Sequence, residues 1–474
     1  MIFNSHTFLI FFAAVFVVYW TIPAQRRNLV LLVASYIFYG FWDWRFLFLL
    51  ATSTVIDFTI AKTIHRSTDD GRRLALLWMS VAVNLGFLGI FKYFNFFIDS
   101  FEVAGGALGL DFSGPTLDVI LPVGISFYTF QTISYSFDVY RRRIEPTERM
   151  LDFAAYVAYF PQLVAGPIER AQRLLPRIEN QVDRVFPRGR DLERAGSLIL
   201  VGLFKKVVLA DGVAPIVNDV FAEPGAQSWL ATAAGVIGFA IQIYGDFSGY
   251  TDMARGVSEL LGIDLVVNFR EPYLSRNITE FWRRWHISLS NWLRDYLYIP
   301  LGGNRSTALV TARNLMLTML LGGLWHGASW NFVIWGGLHG LYLSIHKWVL
   351  GGGVAASDLR LRDVPAIATT FVAVIATWIF FRAATLGEAL DVFGALFRFT
   401  TGVIDYSDVA LVAVLAVVTL AIDIAQRRSA ERQLAELPAT VPSSFALGAT
   451  SAAMVLTIVL FSGGSPVPFI YFQF

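Results

Sequence analysis

Two histidines stand where proton-transfer chemistry is conceivable. His326 lies in the stretch LGGLWHGASWNF, an apolar segment with glycines on both sides of the ring, and His286 lies in the earlier stretch NITEFWRRWHISLSNWLRDYLYIPLGG. Histidine is the side chain best suited to act as a general base near neutral pH. An ionisable ring inside a membrane segment is costly, so its presence favours a functional role for His326.

Each histidine also has a purely structural interpretation. A neutral His326 ring bonded to a backbone carbonyl would lock a break in a helix, and interfacial helices carry histidines such as His286 without any chemistry. His339 and His346 lie two helical turns apart and share a helix face, so we assign them to the core or to a helix interface. A metal site needs three or four close ligands, and the histidine spacing offers none, so we expect no metal.

Basic residues surround the earlier histidine. Arg283, Arg284 and Arg294 lie in the same stretch as Trp285 and Asn291. Such a cluster usually contacts anionic lipid head groups, and it suits equally well the phosphates of a nucleotide-derived donor. We assign these five residues to donor binding and keep contact with membrane lipid as the alternative.

Polar side chains in other apolar runs either line a path or hold helices together. Asp246, Ser248 and Asp252 lie in QIYGDFSGYTDMARG, and Gln131 lies in LPVGISFYTFQTISY. The two carboxylates do not share a helix face, so we expect them to cap helices or to pair with nearby arginines. With Trp325, these residues are our candidates for tunnel-lining or structural roles.

Membrane helices are the elements that must position these residues. The 474 residues are 55% hydrophobic and 15% charged, values typical of a polytopic membrane protein. The net charge of +1 gives no field that would attract nucleic acid. The absence of cysteine excludes disulfides and a cysteinyl acyl-enzyme. The first apolar run lacks a basic region and a cleavage site, so it is predicted to be a retained span.

Eleven apolar runs are long enough, or nearly so, to cross a bilayer as helices. Basic loops alternate with acidic ones in a way that places the N-terminus outside and the basic loops in the cytoplasm. Two segments, 151–167 and 314–346, have basic flanks at both ends and are predicted to enter the membrane and return. The second breaks at its glycines, which places His326 at a turn between two helical arms. The eleven runs are 7–23, 28–42, 46–61, 75–97, 119–137, 196–214, 228–245, 314–346, 364–381, 408–425 and 446–462.

Residues 277–303 are predicted to form one amphipathic helix at the cytoplasmic interface. Asn277 with Glu280 three residues later is typical of an N-terminal cap. Aromatic residues recur at helical spacing, and arginines and polar residues fill much of the remainder. Pro300 and the following glycine pair end the pattern.

The longest distinctive block resembles the membrane-bound O-acyltransferase (MBOAT) family. It is NFREPYLSRNITEFWRRWHISLSNWLRDYLYIPLGGNR (268–305), followed by GGLWHGASWNFVIWGGLHG (322–340). LPVGISFYTFQTISY, YFPQLVAGPIER, QIYGDFSGYTDMARG and the closing PFIYFQF support it. The resemblance is to the bacterial alginate O-acetyltransferase-like branch, next to the D-alanyl transferases of teichoic acid. It implies a conical bundle of membrane helices with a central tunnel.

The resemblance also implies an activity and its partners. His326 would be the essential histidine and His286 the second signature position. The donor would be acetyl-CoA from the cytoplasm, with no permanently bound cofactor. The acceptor would be an exported, alginate-like polysaccharide, reached through a periplasmic SGNH-type acetyltransferase or other polysaccharide-secretion proteins. Because a poorly solvated imidazole is biased towards its neutral form, we expect His326 to act as a general base in direct acyl transfer. A covalent acyl-enzyme on a serine or on His326 itself is the alternative.

We therefore expect an all-α, polytopic helical bundle in the bacterial inner membrane, with about eleven spans plus re-entrant and interfacial helices and a periplasmic N-terminus. It would form one integral membrane domain, 1–474, with N-terminal spans (1–140), a catalytic core (141–350) and C-terminal spans (351–474). One rival is a transporter or channel for polysaccharide or acyl donors, which would share the broken helices. Another is a scaffold of a secretion complex in which the histidines are structural.

Overall fold

Helices make up all the regular structure of the described residues. The computed structural model describes residues 1–110, 113–118, 120–353, 359–399, 404–434, 444–463 and 468–470. Within these ranges there is no strand, and twenty α-helices follow one another along the chain. They are α1 (His6–Thr21), α2 (Arg27–Gly40), α3 (Phe46–Arg66), α4 (Asp70–Leu88), α5 (Phe94–Ala107), α6 (Ile125–Tyr140), α7 (Met150–Ala158), α8 (Phe160–Leu163), α9 (Ala171–Glu179), α10 (Arg190–Phe204), α11 (Asp211–Ala222), α12 (Trp229–Leu260), α13 (Ile278–Arg284), α14 (Ile287–Leu293), α15 (Ala308–His326), α16 (Trp330–Val349), α17 (Val364–Arg382), α18 (Leu386–Phe397), α19 (Tyr406–Leu434) and α20 (Ser444–Phe461).

Six stretches of helix are long and apolar enough to cross a membrane, counted over the residues just given. The chain is therefore a multi-pass membrane protein of the all-α class, as predicted. The eleven apolar runs of the sequence outnumber these stretches, partly because α1 and α20 are shorter apolar helices. The count of eleven crossings and the central tunnel stay predictions. The six stretches are Phe46–Arg66, Asp70–Ala107, Trp229–Leu260, Ala308–His326, Leu361–Arg382 and Tyr406–Arg428.

The chain divides into two compact units. Unit 1 comprises residues 1–199 and 254–266, and unit 2 comprises residues 200–253 and 267–474. In unit 1, α3, α4 and α6 are joined by polar side chains. Asp57 accepts hydrogen bonds from Ser80 Oγ (2.6 Å) and Asn84 Nδ2 (2.9 Å), and Thr132 donates to Asn84 Oδ1 (3.0 Å). These bonds hold the three helices together, since apolar contact gives helices in lipid little driving force to associate.

The segment 151–167, predicted to dip and return, forms two short helices in unit 1. Its backbone breaks at Tyr159 between α7 and α8, just before Pro161. The nine residues of α7 are far too few for a crossing, which takes about 20 residues. Side chains from Phe153 to Ala165 are buried, so the break is enclosed by protein. This break is compatible with a segment that enters and returns, and the re-entry into the membrane stays a prediction.

In unit 2, α15 and α16 form a tight helical hairpin. A Cβ added at Gly323 would lie 2.1 Å from the Phe332 carbonyl oxygen, and one at Gly336 would lie 2.2 Å from that of Met319. Only glycine permits this approach of the two backbones. His326 is the last residue of α15, so its predicted place at a turn between two arms is confirmed. The break itself follows Gly327, because Gly322 and Gly323 remain helical and pack the arms instead.

Candidate active site

The two signature histidines lie side by side in unit 2. The ring centroids of His286 and His326 are 6.3 Å apart, and both side chains are buried. Trp325 contacts both rings, with centroids 6.0 Å from His286 and 5.0 Å from His326. A single small substrate group can therefore meet both imidazoles. The sequence singled out each histidine separately and contained no signal for their distance in space.

Aromatic rings enclose His326. Trp335 and Phe381 lie 5.1 and 5.2 Å from it, each with its ring nearly perpendicular or steeply inclined to the imidazole. These aromatic rings exclude water and fix the orientation of the imidazole, and they do not themselves take part in proton transfer. As the last residue of α15, His326 also lies beside helix carbonyls whose dipole favours a positive charge. An imidazolium formed there would be stabilised.

His286 occupies an unusual backbone conformation. Its φ of 42° and ψ of 55° are left-handed, a state that costs a non-glycine residue roughly 1–2 kcal/mol. Asn268 holds the chain directly after this residue. Its carbonyl accepts from Ile287 N (2.9 Å), and its Oδ1 accepts from Ser288 N (3.1 Å) and from Ser288 Oγ (2.9 Å). The strain turns the ring of His286 towards His326 rather than leaving it on a helix face.

The prediction of one continuous helix over 277–303 is wrong. Helix α13 ends at Arg284, α14 begins at Ile287, and a π turn follows from Arg294 to Tyr298. The cap at its start is confirmed, since Asn277 Oδ1 accepts from Glu280 N at 2.8 Å. Periodicity alone missed the break because the aromatic pattern continues across it, and left-handed histidine has no signature in sequence spacing.

A cavity of about 700 Å³ lies in unit 2, and its wall includes Ile287, the residue after His286, but neither histidine. Three of the predicted donor-binding residues, Arg283, Asn291 and Arg294, line it, and so does Lys347 from α16. Three cationic side chains around one cavity suit a polyanion such as a nucleotide phosphate chain. Lys347 was not predicted as a donor-binding residue, because its only signal in the sequence was a positive charge at the end of an apolar run. The rest of the wall is largely apolar and hydroxyl-bearing: Thr279, Trp282, Ile287, Ser290, Leu293, Tyr298, Asn304, Leu315, Thr318, Met319, Leu343, Gly351 and Gly352.

Arg284 and Trp285 do not line this cavity. Arg284 pairs with Glu280 (3.0 Å) and Glu271 (3.3 Å), both carboxylates of unit 2. Trp285 is buried against Phe281 and Trp378, with ring centroids 5.6 and 5.0 Å away. Their neighbours give both residues a structural role, and donor binding by them stays a prediction.

Asp246 and Asp252 pair with lysines instead of arginines. Lys206 Nζ lies 2.9 Å from Asp246 and 2.7 Å from Asp211, and Lys205 Nζ lies 2.8 Å from Asp252. The lysines belong to the π turn Lys205–Ala210, inside a run that the sequence presented as a span. Buried charges persist when they are paired in this way, which supports the structural alternative for both aspartates. Ser248 is buried nearby in α12.

The second carboxylate oxygen of Asp246 binds the closing segment of the chain. Asp246 Oδ2 accepts from the backbone N of Ile470 at 2.6 Å. The neighbouring Phe469 ring packs against Phe247, and Phe247 packs against His286 with centroids 4.6 Å apart. Of the closing motif, residues 471–474 lie outside the described residues.

His339 is held by hydrogen bonds in the wall of the site. Trp282 Nε1 donates to His339 Nδ1 (3.3 Å), and His339 Nε2 is 3.0 Å from Thr377 Oγ1. Because an indole N–H can only donate, Nδ1 carries no proton, and Nε2–H donates to the hydroxyl. Thr377 in turn donates to the Val374 carbonyl (2.7 Å). His339 is thus a neutral, hydrogen-bonded ring that packs among aromatic side chains, in agreement with its assignment to the core.

Gln131 belongs to unit 1, where its Nε2 donates to the Tyr156 carbonyl at 3.0 Å. It therefore joins α6 to α7, a structural role. Over the described ranges, no group of three or more histidine, aspartate or glutamate side chains is arranged to hold a metal ion. The chemistry that the site offers is that of two imidazoles beside a cationic cavity.

Comparison with known proteins gives these features a family context. A profile of the membrane-bound O-acyltransferase family matches residues 147–382, which contain both histidines and the cavity. The probable alginate O-acetylase AlgI of Azotobacter vinelandii is 43% identical over 84% of this chain and 78% of its own length. A peptidoglycan O-acetyltransferase of Helicobacter pylori is 36% identical over 83% of this chain and 79% of its own length. A teichoic acid D-alanyltransferase of Streptococcus thermophilus is 29% identical over 47% of this chain and 56% of its own length.

Proposed function

This chain belongs to the membrane-bound O-acyltransferase family and is an O-acyltransferase, and from that premise we propose that it transfers acetyl groups from cytoplasmic acetyl-CoA towards an exported polysaccharide. An alginate-like polymer is the acceptor class, because the relatives in Azotobacter and Pseudomonas are named as probable alginate O-acetylases. A periplasmic SGNH-type acetyltransferase, or other polysaccharide-secretion proteins, would complete the delivery. The protein would lie in the bacterial inner membrane with its N-terminus in the periplasm, an orientation that the alternation of basic and acidic loops supports.

The observation that carries this proposal is the His286–His326 pair beside a cationic cavity. Arg283, Arg294 and Lys347 would bind the donor's phosphates, and Asn291 would hydrogen-bond its amides or hydroxyls. The largely apolar remainder of the cavity suits the pantetheine arm and the thioester. Lipid head groups could use the same cations, but they would not need a cavity whose wall includes the residue next to His286.

The proposed reaction is a direct transfer. The acceptor hydroxyl attacks the thioester carbonyl carbon while His326 takes its proton, so a C–O bond forms and a tetrahedral oxyanion results. The C–S bond then breaks, and the proton passes from the His326 imidazolium to the departing thiolate. The products are the acetyl ester and free CoA. The carbonyl end of α15 stabilises the imidazolium between these two steps.

His286 would act as a neutral hydrogen-bond donor. Burial lowers the pKa of His286 to about 3, so its ring is uncharged at any physiological pH. A neutral imidazole keeps one N–H, which can donate to the developing oxyanion. His286→Gln should therefore slow transfer without altering the shape of the pH profile between about pH 5 and 8. A profile that lost one of its limbs in this variant would instead assign proton transfer to His286.

The central test is His326→Ala in an alginate-producing strain that lacks its own O-acetylase. The strain carries the full-length protein, and the ester acetyl content of the secreted polymer is measured alongside protein abundance in the membrane. We expect acetylation to vanish while abundance and polymer export are unchanged. The exposed His65→Ala is the matched control and should acetylate normally.

The same experiment separates the rivals. A transporter would lose polymer export in the His326 variant, whereas an acyltransferase exports polymer that lacks acetyl groups. A scaffold would permit normal acetylation after substitution of both His286 and His326. Normal acetylation with His326→Ala removes that residue from the mechanism.

A further inference from the structure

The donor cavity ends about two helical turns short of His326, because Met319, its last lining residue on α15, lies seven residues before the histidine. On α15 its lining comprises Leu315, Thr318 and Met319, and it stops there. The next residue on that face is Gly322, and His326 follows about one turn, or 6 Å, further on. Something therefore occupies the space between the end of the cavity and the turn that carries the histidine.

Leu293 occupies that space. It is the last residue of α14, it lines the cavity, and only 4% of its surface is exposed. Its Cδ1 lies 3.1 Å from the position that a Cβ at Gly322 would take. The missing side chain at Gly322 is thus the space into which Leu293 packs.

We propose that Leu293, seated on Gly322, is the gate that restricts the acyl group to a short chain. The inference rests on the proposed function, because it places the thioester between the cavity and His326. Trp282, Met319 and Leu343 contribute further apolar side chains to the wall of the cavity. An acetyl group adds one methyl to the thioester carbonyl and passes beside the leucine. A chain of several methylenes needs the volume that the leucine side chain fills.

The geometry defines a pair of opposing substitutions. Leu293→Ala removes the obstacle and should admit longer acyl groups. Gly322→Ala adds a methyl group that pushes Leu293 into the path and should obstruct even acetyl. The double variant restores the lost space, so it should recover acetyl transfer. The matched control is Gly337→Ala on α16, where a Cβ would meet only Leu320 Cδ2, at 3.5 Å.

The experiment uses membrane vesicles from the same alginate-producing strain, supplied with acetyl-, butyryl- or octanoyl-CoA, and measures release of free CoA that depends on His326. For Leu293→Ala we expect the octanoyl-to-acetyl ratio of kcat/KM to rise about tenfold or more, since each methylene accommodated is worth roughly a factor of ten. Gly322→Ala should lower acetyl transfer about tenfold. Gly337→Ala should match the unsubstituted protein.

Several outcomes would overturn the gate. One is an unchanged chain-length ratio in Leu293→Ala while acetyl transfer proceeds. Another is failure of Leu293→Ala to rescue a correctly inserted Gly322→Ala. If the unsubstituted protein releases no CoA from any donor, the proposed function falls and the gate falls with it. Abundance in the membrane is measured for every variant, because relief of the same clash would also restore a Gly322→Ala protein that had misfolded.

Discussion

Helix α13 and the π turn Arg294–Tyr298 that follows α14 both carry arginines, yet these arginines have different surroundings. The arginines that flank and end α13 are neutralised: Arg276 and Arg284 both bind Glu280, at 3.1 and 3.0 Å. Arg283, next to Arg284 in α13, and Arg294, after α14, line the cavity. Spacing on a helix cannot separate these roles. The position of nearby carboxylates decides which arginines hold the fold and which remain for an anion.

Glu280 is the carboxylate that neutralises the arginines with a structural role. Burial alone would raise the pKa of Glu280, but hydrogen bonds and charges from Arg276 and Arg284 lower it below its usual value. Its side chain is 3% exposed, and that of Arg276 is 7% exposed. A carboxylate that neutralises two largely buried guanidinium groups should be among the least replaceable polar residues of unit 2.

The largest effect is therefore expected from Glu280→Gln. Removing one member of a buried ion pair costs about 3–5 kcal/mol, so the free energy of unfolding should fall by about 3 kcal/mol. Thermal unfolding in detergent measures the loss. The matched control is Glu148→Gln in unit 1, where the carboxylate is 73% exposed and pairs with Lys62. That change should cost less than about 1 kcal/mol. Equal effects of the two substitutions would contradict the structural role of Glu280.

The second-largest effect distinguishes the roles of two adjacent arginines. Arg283→Gln should raise the KM for acetyl-CoA about tenfold and leave thermal stability unchanged, because it removes one charged contact from the cavity. Arg284→Gln should do the reverse, lowering stability with little change in KM. Initial rates against acetyl-CoA concentration in membrane vesicles give the first quantity, and thermal unfolding gives the second. If Arg284→Gln alone raised KM, donor binding would belong to the residue that the structure buries among carboxylates.

The smallest effect concerns Arg294, which lines the cavity and is also paired with a carboxylate. It lines the cavity while pairing with Asp295 at 2.6 Å, and its side chain is 56% exposed. Exposed pairs are worth at most about 1 kcal/mol, so Asp295→Asn should lower the KM for acetyl-CoA by about threefold or less. Added salt should weaken donor binding and reduce the difference between the two proteins. A higher KM in Asp295→Asn would mean that the carboxylate itself orients the donor.

Local signals in the sequence predicted part of this site. The cap at Asn277 and the turn at His326 follow from residue types within a few positions of each other, and both are observed. The break at His286 was missed because it depends on Asn268, which supports it from outside the helix. The pairing of Asp246 with Lys206 was likewise beyond local patterns, because the two residues belong to different helical segments.

The global architecture was predictable for a different reason. A bilayer leaves the backbone few ways to satisfy its hydrogen bonds, so apolar runs translate directly into helices. Which runs cross, and which merely pack inside the protein, depends on neighbours that composition does not reveal. The buried pair α7 and α8 illustrates this, since its residues are as apolar as those of a span.

The hydrogen bond between Asp246 and Ile470 can form only after the C-terminal segment has been synthesised. It joins residues 224 positions apart, so Asp246 Oδ2 lacks this hydrogen bond while nearly half the chain is still being synthesised. Translation proceeds at about 5–20 residues per second, which makes that delay tens of seconds. Throughout this interval the core beside His286 lacks its last aromatic neighbour, Phe469. A chain that stops before this point therefore lacks both the Ile470 N–H that binds Asp246 and the Phe469 ring that packs on Phe247.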